Sequence, residues 1–396
     1  MKPLCLAPFK GVYINPEGFS PCCYIPPKRY NSMEEYESSE WLLSMQEGQL
    51  THDYSKMHTR CKSCINDKTN SSFYTEMGYG KSVRSTLEYD AGNLAKTHLY
   101  IATSIRCGMS CTMCLVSDKR LSELEETGIK KEMDIYGDFD YNIDVEENII
   151  EWVINNTSGV EILSIYGGDP TMHTATPTLL NNVSDDTTLR YSTNGQFMKL
   201  RDGTDLIERL SKFKRTLLTF SIDGLGEIGK RVRKGIVYKN IDRLMVKARD
   251  KEIIGREICF TVSLYNVMHS VDIFEELYQK YIVTGLATSL FFNPTLDPEF
   301  CAVKNLPYKL KNKVLKSLSE YYLNADLEKR IVLDRSYHNL VGYIKGKQER
   351  TEWNNFIRFC IKEEKELELT PISTLIPDYK EYFLKYKESV IDVKVL

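Results

Sequence analysis

From His98 to about Asn293 the chain sets short apolar runs between longer amphipathic stretches. The runs Leu99–Ser104, Ile162–Tyr166, Leu189–Thr193, Leu217–Ile222, Ile258–Leu264 and Ala287–Phe292 have the length and composition of strands. Between them, Asp144–Asn156, Asp205–Phe213, Asn240–Arg249 and Val271–Tyr281 carry apolar residues at helical spacing. Six strand–helix units predict a parallel sheet, because parallel neighbours need crossover helices. Such a sheet can curl into a partial (β/α)6 TIM-like barrel, with its chemistry at the C-terminal strand ends. The expected class is therefore α/β.

The flanks read differently. Residues 1–75 are turn-like and rich in cysteine, with one predicted helix over Ser32–Glu47 that has Ser32 and Glu35 as a capping box and Gly48 as terminator. The highly charged Asp118–Asp144 stretch reads as an insertion holding one weak helix. Beyond residue 293, Pro307–Tyr322, Leu327–Ile344 and Glu352–Ile361 repeat apolar residues every three or four positions, a helical extension packed over the barrel or closing its open side. The division expected is 1–75 as a cysteine-rich region, 76–293 as the barrel and 294–396 as helices.

Composition narrows the function classes. Hydrophobic residues make up 42% and charged residues 27%, the balance of a globular protein. A net charge of −3, with no basic stripe interleaved with aromatics, gives no drive toward nucleic acid or an anionic membrane. The first residues lack the apolar run of a signal peptide, and no stretch approaches a membrane span, so a soluble, cytoplasmic protein is expected. In a reducing compartment 11 cysteines point to metal more than to disulfides.

The cysteines carry the strongest chemical signal. Cys107-Gly-Met-Ser-Cys111-Thr-Met-Cys114 follows the first apolar run. This C-x3-C-x2-C loop offers three thiolates, whereas a closed zinc site or an ordinary cubane needs four ligands. Three leave one iron open to bind a second molecule and pass it an electron. A zinc knuckle with a distant fourth ligand is the bland alternative. Later strand ends carry Gly167-Gly168-Asp169-Pro170, Ser192-Thr193-Asn194-Gly195 and Ser221-Ile222-Asp223-Gly224.

In order and spacing, these segments over roughly residues 98–266 resemble the radical S-adenosylmethionine (SAM) superfamily. The resemblance implies a [4Fe-4S] cluster on Cys107, Cys111 and Cys114, with SAM at its open iron and an external one-electron donor such as flavodoxin or ferredoxin. Met113, where the family often has an aromatic, is expected beside the adenine. Gly167, Gly168 and Asp169, in place of the family's GGE, are expected at the SAM amino group. Ser192 and Asn194 are expected at the ribose, and Arg231 or Arg233, with Arg233 preferred, at the SAM carboxylate. Reductive cleavage of SAM to a 5′-deoxyadenosyl radical, then hydrogen abstraction from a substrate, is the implied reaction.

Cys5, Cys22, Cys61 and Cys64 look like the ligand pattern of SPASM and twitch auxiliary-cluster domains, although here they precede the barrel. The resemblance implies a second [4Fe-4S] cluster, with structural zinc as the competitor and Cys23 as the alternative to Cys22. Cys259 and Cys360 are expected to be buried packing residues, Cys301 is open to facing the active site, and His173 is expected to be a hydrogen-bonded structural group. Two-electron oxidation of a small molecule is the leading functional expectation. A peptide-modifying maturase and a non-catalytic, zinc-stabilised α/β binding protein are the alternatives.

Overall fold

The computed structural model describes residues 4–23, 25–61, 98–133, 143–156, 159–253 and 255–395. They form two compact units. One takes in Met1–Arg106, Asp140–Ser192 and Met198–Leu217, and the other Cys107–Phe139, Thr193–Phe197 and Leu218–Leu396. The class is the expected one, α/β with parallel strands in an open sheet and a helical C-terminal extension.

In the first unit the strand order is β2-β1-β3-β4-β5, with β1 at Gly11–Asn15, β2 at Gly18–Ser20, β3 at His98–Ile101, β4 at Ile162–Ile165 and β5 at Thr188–Thr193. β3 sits parallel between β1 and β4, pairing Leu99 with Val12 on one side and Leu163 on the other. Every residue of β3 and β4 is buried, which explains why both read as unbroken apolar runs and not as alternating ones.

β1 and β2 correct the expectation of a turn-like N-terminal region. They form a hairpin with Asn15 opposite Gly18, and Asn15 Oδ1 accepts from the Glu17 and Gly18 amides at 2.9 and 3.1 Å. Gly18 has φ of +132°, and a Cβ there would lie 2.1 Å from the Lys28 carbonyl oxygen, so only glycine fits.

The single helix expected over Ser32–Glu47 is two. Met33–Glu37 is capped by Ser32, which accepts from the Glu35 amide, and Glu40–Thr51 is capped by Ser39, which accepts from the Leu42 amide. The Ser38-Ser39 pair breaks the run because its side chains satisfy the backbone locally. Gly48 is interior to the second helix, not its terminator. Its missing Cβ admits the Asp53 carbonyl, and His52 at φ 58° ends the helix.

The second unit holds β7 at Gly255–Val262 and β8 at Ser289–Pro294, paired in parallel with Ile258 opposite Leu290. β6, Arg215–Ser221, runs across the division between the units. Among its described residues the charged insertion forms two helices, Asp118–Glu126 and Ile129–Glu132, where one was expected.

The C-terminal helices Tyr308–Asn324, Leu327–Ile344 and Arg350–Glu366 match expectation, and Lys380–Val395 was not foreseen. Arg350–Glu366 packs at the end of β7, and Leu327–Ile344 against β8. Tyr265 meets Phe356 at 5.0 Å between ring centroids, Trp353 meets Tyr379 at 5.3 Å, and the Tyr379 hydroxyl donates to the Leu264 carbonyl at 2.8 Å. No helix among the described residues is long and apolar enough to cross a membrane.

Candidate metal centre

The cysteine loop is held by backbone bonds to a segment far along the chain. The Ser110 amide donates to the Lys234 carbonyl at 3.2 Å and the Thr112 amide to the Val232 carbonyl at 2.9 Å, so the loop lies along residues 231–234. The Cys107 amide donates to Asp118 Oδ1 at 2.8 Å, and Lys119 Nζ reaches the Gly108 carbonyl at 3.0 Å. The loop is thereby tied to the first turn of the Asp118–Glu126 helix.

All three thiols are half-buried. Cys107 Sγ accepts from the Met109 amide and from Asn194 Nδ2, each at 3.5 Å. Cys111 Sγ lies 4.0 Å from Arg233 Nη1. Burial, helped by Cys114, Cys107 and Asp223, pushes the Cys111 thiol up to about 12 against the pull of Arg233. Met113 is buried, and its sulfur accepts from Thr295 Oγ1 at 3.6 Å.

Among the described residues no three His, Cys, Asp or Glu side chains stand in a metal-holding arrangement. The donor chemistry nonetheless fits a thiolate-held cluster. Three thiols share one sheltered loop, and an amide and a guanidinium are already directed at their sulfurs, the outer partners that a buried thiolate centre needs.

Arg233 also pairs with Asp223, Nε to Oδ2 at 2.7 Å. Asp223 is fully buried and takes the Thr261 amide on Oδ1 at 2.7 Å. Burial works to discharge Arg233, and Asp223 together with Cys111 and Cys259 more than reverses that, so the guanidinium stays charged.

Arg231, the other arginine considered for a SAM carboxylate, is committed elsewhere. Its Nη2 bonds Glu363 at 2.7 Å and its Nη1 bonds Thr112 Oγ1 at 2.8 Å. The other oxygen of Glu363 takes Arg120, which also reaches the Thr112 carbonyl at 3.2 Å. Arg120, Arg231 and Glu363 are buried together, and this triad props the loop at the residue between Cys111 and Met113. Cys301 is fully buried too, beside this charge cluster, and faces no opening. Cys360 is buried as expected, while Cys259 is half-buried within β7.

The first unit carries the diglycine turn. Gly167 has φ of +120°, and a Cβ on it would lie 2.5 Å from the Ser104 carbonyl oxygen. One on Gly168 would lie 2.1 Å from that of Arg106. Bare backbone is therefore required here by the segment that leads into Cys107. Asp169 is fully buried, with Oδ1 accepting from the Thr171 amide at 3.0 Å and from its hydroxyl. Its carboxylate caps the short turn at Pro170–Met172. Ser192 is half-buried at the end of β5.

A model of the radical SAM superfamily matches residues 101–281. This segment is a radical SAM domain. Among solved structures, native anSMEcpe with bound AdoMet and Kp18Cys peptide shares 17% identity over 57% of this chain and 59% of its own, with a TM-score of 0.39. SuiB of Streptococcus suis bound to S-adenosylmethionine shares 17% over 72% of this chain and 60% of its own, with a TM-score of 0.38. The matched part thus spans less than two thirds of those chains. No curated protein matches.

The radical SAM domain excludes the N-terminal cysteines. Cys5 and Cys22 pack against one apolar cluster of Leu6, Ala7, Tyr100 and Ile162, joined by Tyr13 and Tyr166, while Cys23 is exposed. Of the two adjacent cysteines, Cys22 is the one turned inward with Cys5. Cys61 sits half-buried in helical backbone, and Cys64 lies outside the described residues.

His173, just after the diglycine turn of the radical SAM domain, is fully buried and its Nδ1 bonds Thr103 Oγ1 at 2.8 Å. Burial pulls its pKa from 6.5 down to about 4. The unfolded chain therefore binds more protons between those values, and stability falls as the pH drops through the window. The loss is roughly 3 kcal/mol for this group at pH 4. Urea midpoints measured from pH 7 to 4 should decline, and His173→Gln should flatten the decline. An equal slope in the variant would rule this origin out.

Proposed function

We propose that the chain is a radical SAM enzyme in which Cys107, Cys111 and Cys114 hold a [4Fe-4S] cluster with one iron open to SAM. The observation that carries this reading is the three-thiol loop inside the radical SAM domain, sheltered and supplied with two side-chain donors to its sulfurs. When bound, the cluster supplies the electron that cleaves SAM reductively, and the 5′-deoxyadenosyl radical formed takes hydrogen from a substrate.

The chain's own residues would shape the reaction around that step. The backbone bonds to residues 231–234 fix the loop, and Met113 offers an apolar, polarisable wall beside it. Contacts to SAM from Gly167, Gly168, Asp169 and Ser192 rest on the family resemblance alone. For the N-terminal set we propose that Cys5, Cys22, Cys61 and Cys64 hold a second [4Fe-4S] cluster, supported by the shared inward packing of Cys5 and Cys22.

The net reaction proposed is a two-electron oxidation of a small molecule. An external one-electron donor such as flavodoxin or ferredoxin would reduce the first cluster for SAM cleavage, and one hydrogen atom would leave the substrate as 5′-deoxyadenosine forms. The remaining electron would pass to the second cluster and the remaining proton to solvent. Reconstituted protein mixed with sugars and alcohols, or with peptides, should release 5′-deoxyadenosine above the uncoupled rate with the first class. Stimulation by peptides instead would make the protein a peptide-modifying maturase. Zinc without iron after anaerobic preparation would end the enzyme reading.

A further inference from the structure

Two residues that the family pattern directs at SAM are directed here at sulfur. Asn194 donates to Cys107 Sγ, and the Nη1 of Arg233 stands 4.0 Å from Cys111 Sγ. Arg233 is not free to turn away. Its Nε edge is paired with Asp223 Oδ2, and Asp223 is anchored by the Thr261 amide on Oδ1 and by Asn266 Nδ2 on its carbonyl oxygen at 3.1 Å. The side chain is only 12% exposed. A bidentate grip on a carboxylate needs an open edge of the guanidinium, and here Asp223 holds the Nε edge while Cys111 Sγ stands at the Nη1 corner of the other.

Resting on the radical SAM reading, we propose that Arg233, held by Asp223, is a positioning residue of the cluster that keeps a positive charge on the Cys111 thiolate and raises the reduction potential. It does not grip the carboxylate of SAM. Reduction adds one negative charge to the cluster, and a fixed cation beside a ligating sulfur favours the reduced form. Asp223 fixes the direction of the guanidinium, and its own charge, one residue further out, moderates the effect without cancelling it.

The test is a redox titration of the anaerobically reconstituted full chain, followed by electron paramagnetic resonance without SAM, beside equilibrium dialysis of SAM. The double variant Arg233→Met/Asp223→Asn leaves no unpaired buried charge. At a fixed potential its ratio of reduced to oxidised cluster should fall about tenfold, or about 59 mV for a one-electron couple, with SAM affinity little changed. Arg233→Lys, which keeps the cation, should titrate close to the parent. An unchanged midpoint with SAM affinity reduced about tenfold or more would overturn the proposal and place Arg233 on SAM. Parent protein that takes up zinc and no iron is a separate outcome, in which the radical SAM reading itself fails and takes this inference with it.

Discussion

Replacing Cys111 with alanine is expected to abolish SAM cleavage. Loss of an outer-shell partner of a metal site costs about 10–100-fold, and loss of one of three ligands should exceed that. Cys111 is the middle thiol of the loop, the one beside Arg233 and acted on electrostatically by both neighbours. The measurement is 5′-deoxyadenosine formed by anaerobically reconstituted protein, together with iron per chain. Cleavage should fall to the blank, and iron should drop by about four atoms, one cluster. Cys107→Ala and Cys114→Ala should behave alike. Any of the three retaining full cleavage would contradict the assignment.

The second large effect falls on stability. Glu363→Ala leaves the buried guanidinium groups of Arg120 and Arg231 facing each other without their shared carboxylate. Breaking such a pair costs about 3–5 kcal/mol, because a buried charge is left uncompensated. Urea unfolding should report a loss of that size. The triple replacement Arg120→Met, Arg231→Met and Glu363→Leu should recover most of it, since apolar groups of similar volume fill the site without a desolvation penalty. A loss below about 1 kcal/mol for Glu363→Ala would mean that the triad is solvated, like an ordinary surface pair.

The six strands between His98 and Pro294 were legible because β3 and β4, buried throughout, leave unbroken apolar runs and β5 to β8 alternate buried with part-exposed positions, and their ends fell within a few residues of the expected positions. β1 and β2 were not. Gly11–Asn15 and Gly18–Ser20 are too short and too rich in glycine to show a period, and they owe their strand form to pairing with β3 and with each other. The cysteine loop was legible because its spacing is itself a chemical signal. Glu363 was not, because a glutamate among Lys362, Glu364 and Lys365 looks like any solvated helix face. Only the packing of its helix shows that it is fully buried. Arg231 and Arg233, two positions apart, were both candidates in sequence, with Arg233 preferred on the family resemblance and not on any contact. The structure separates them by giving Arg231 to Glu363 and Arg233 to Asp223.

The ties that shape the thiol loop also impose a timetable. Thr112 waits 119 positions for Arg231, and Arg120 waits 243 for Glu363. At synthesis rates of roughly 5–20 residues per second, the second delay lasts roughly 12–50 seconds. Through that interval the growing polypeptide exposes Cys107, Cys111 and Cys114 on a segment without its final form, open to oxidants and stray metal ions. The cysteines are the earliest part of the loop's framework to be made, and the helix that braces them is among the last.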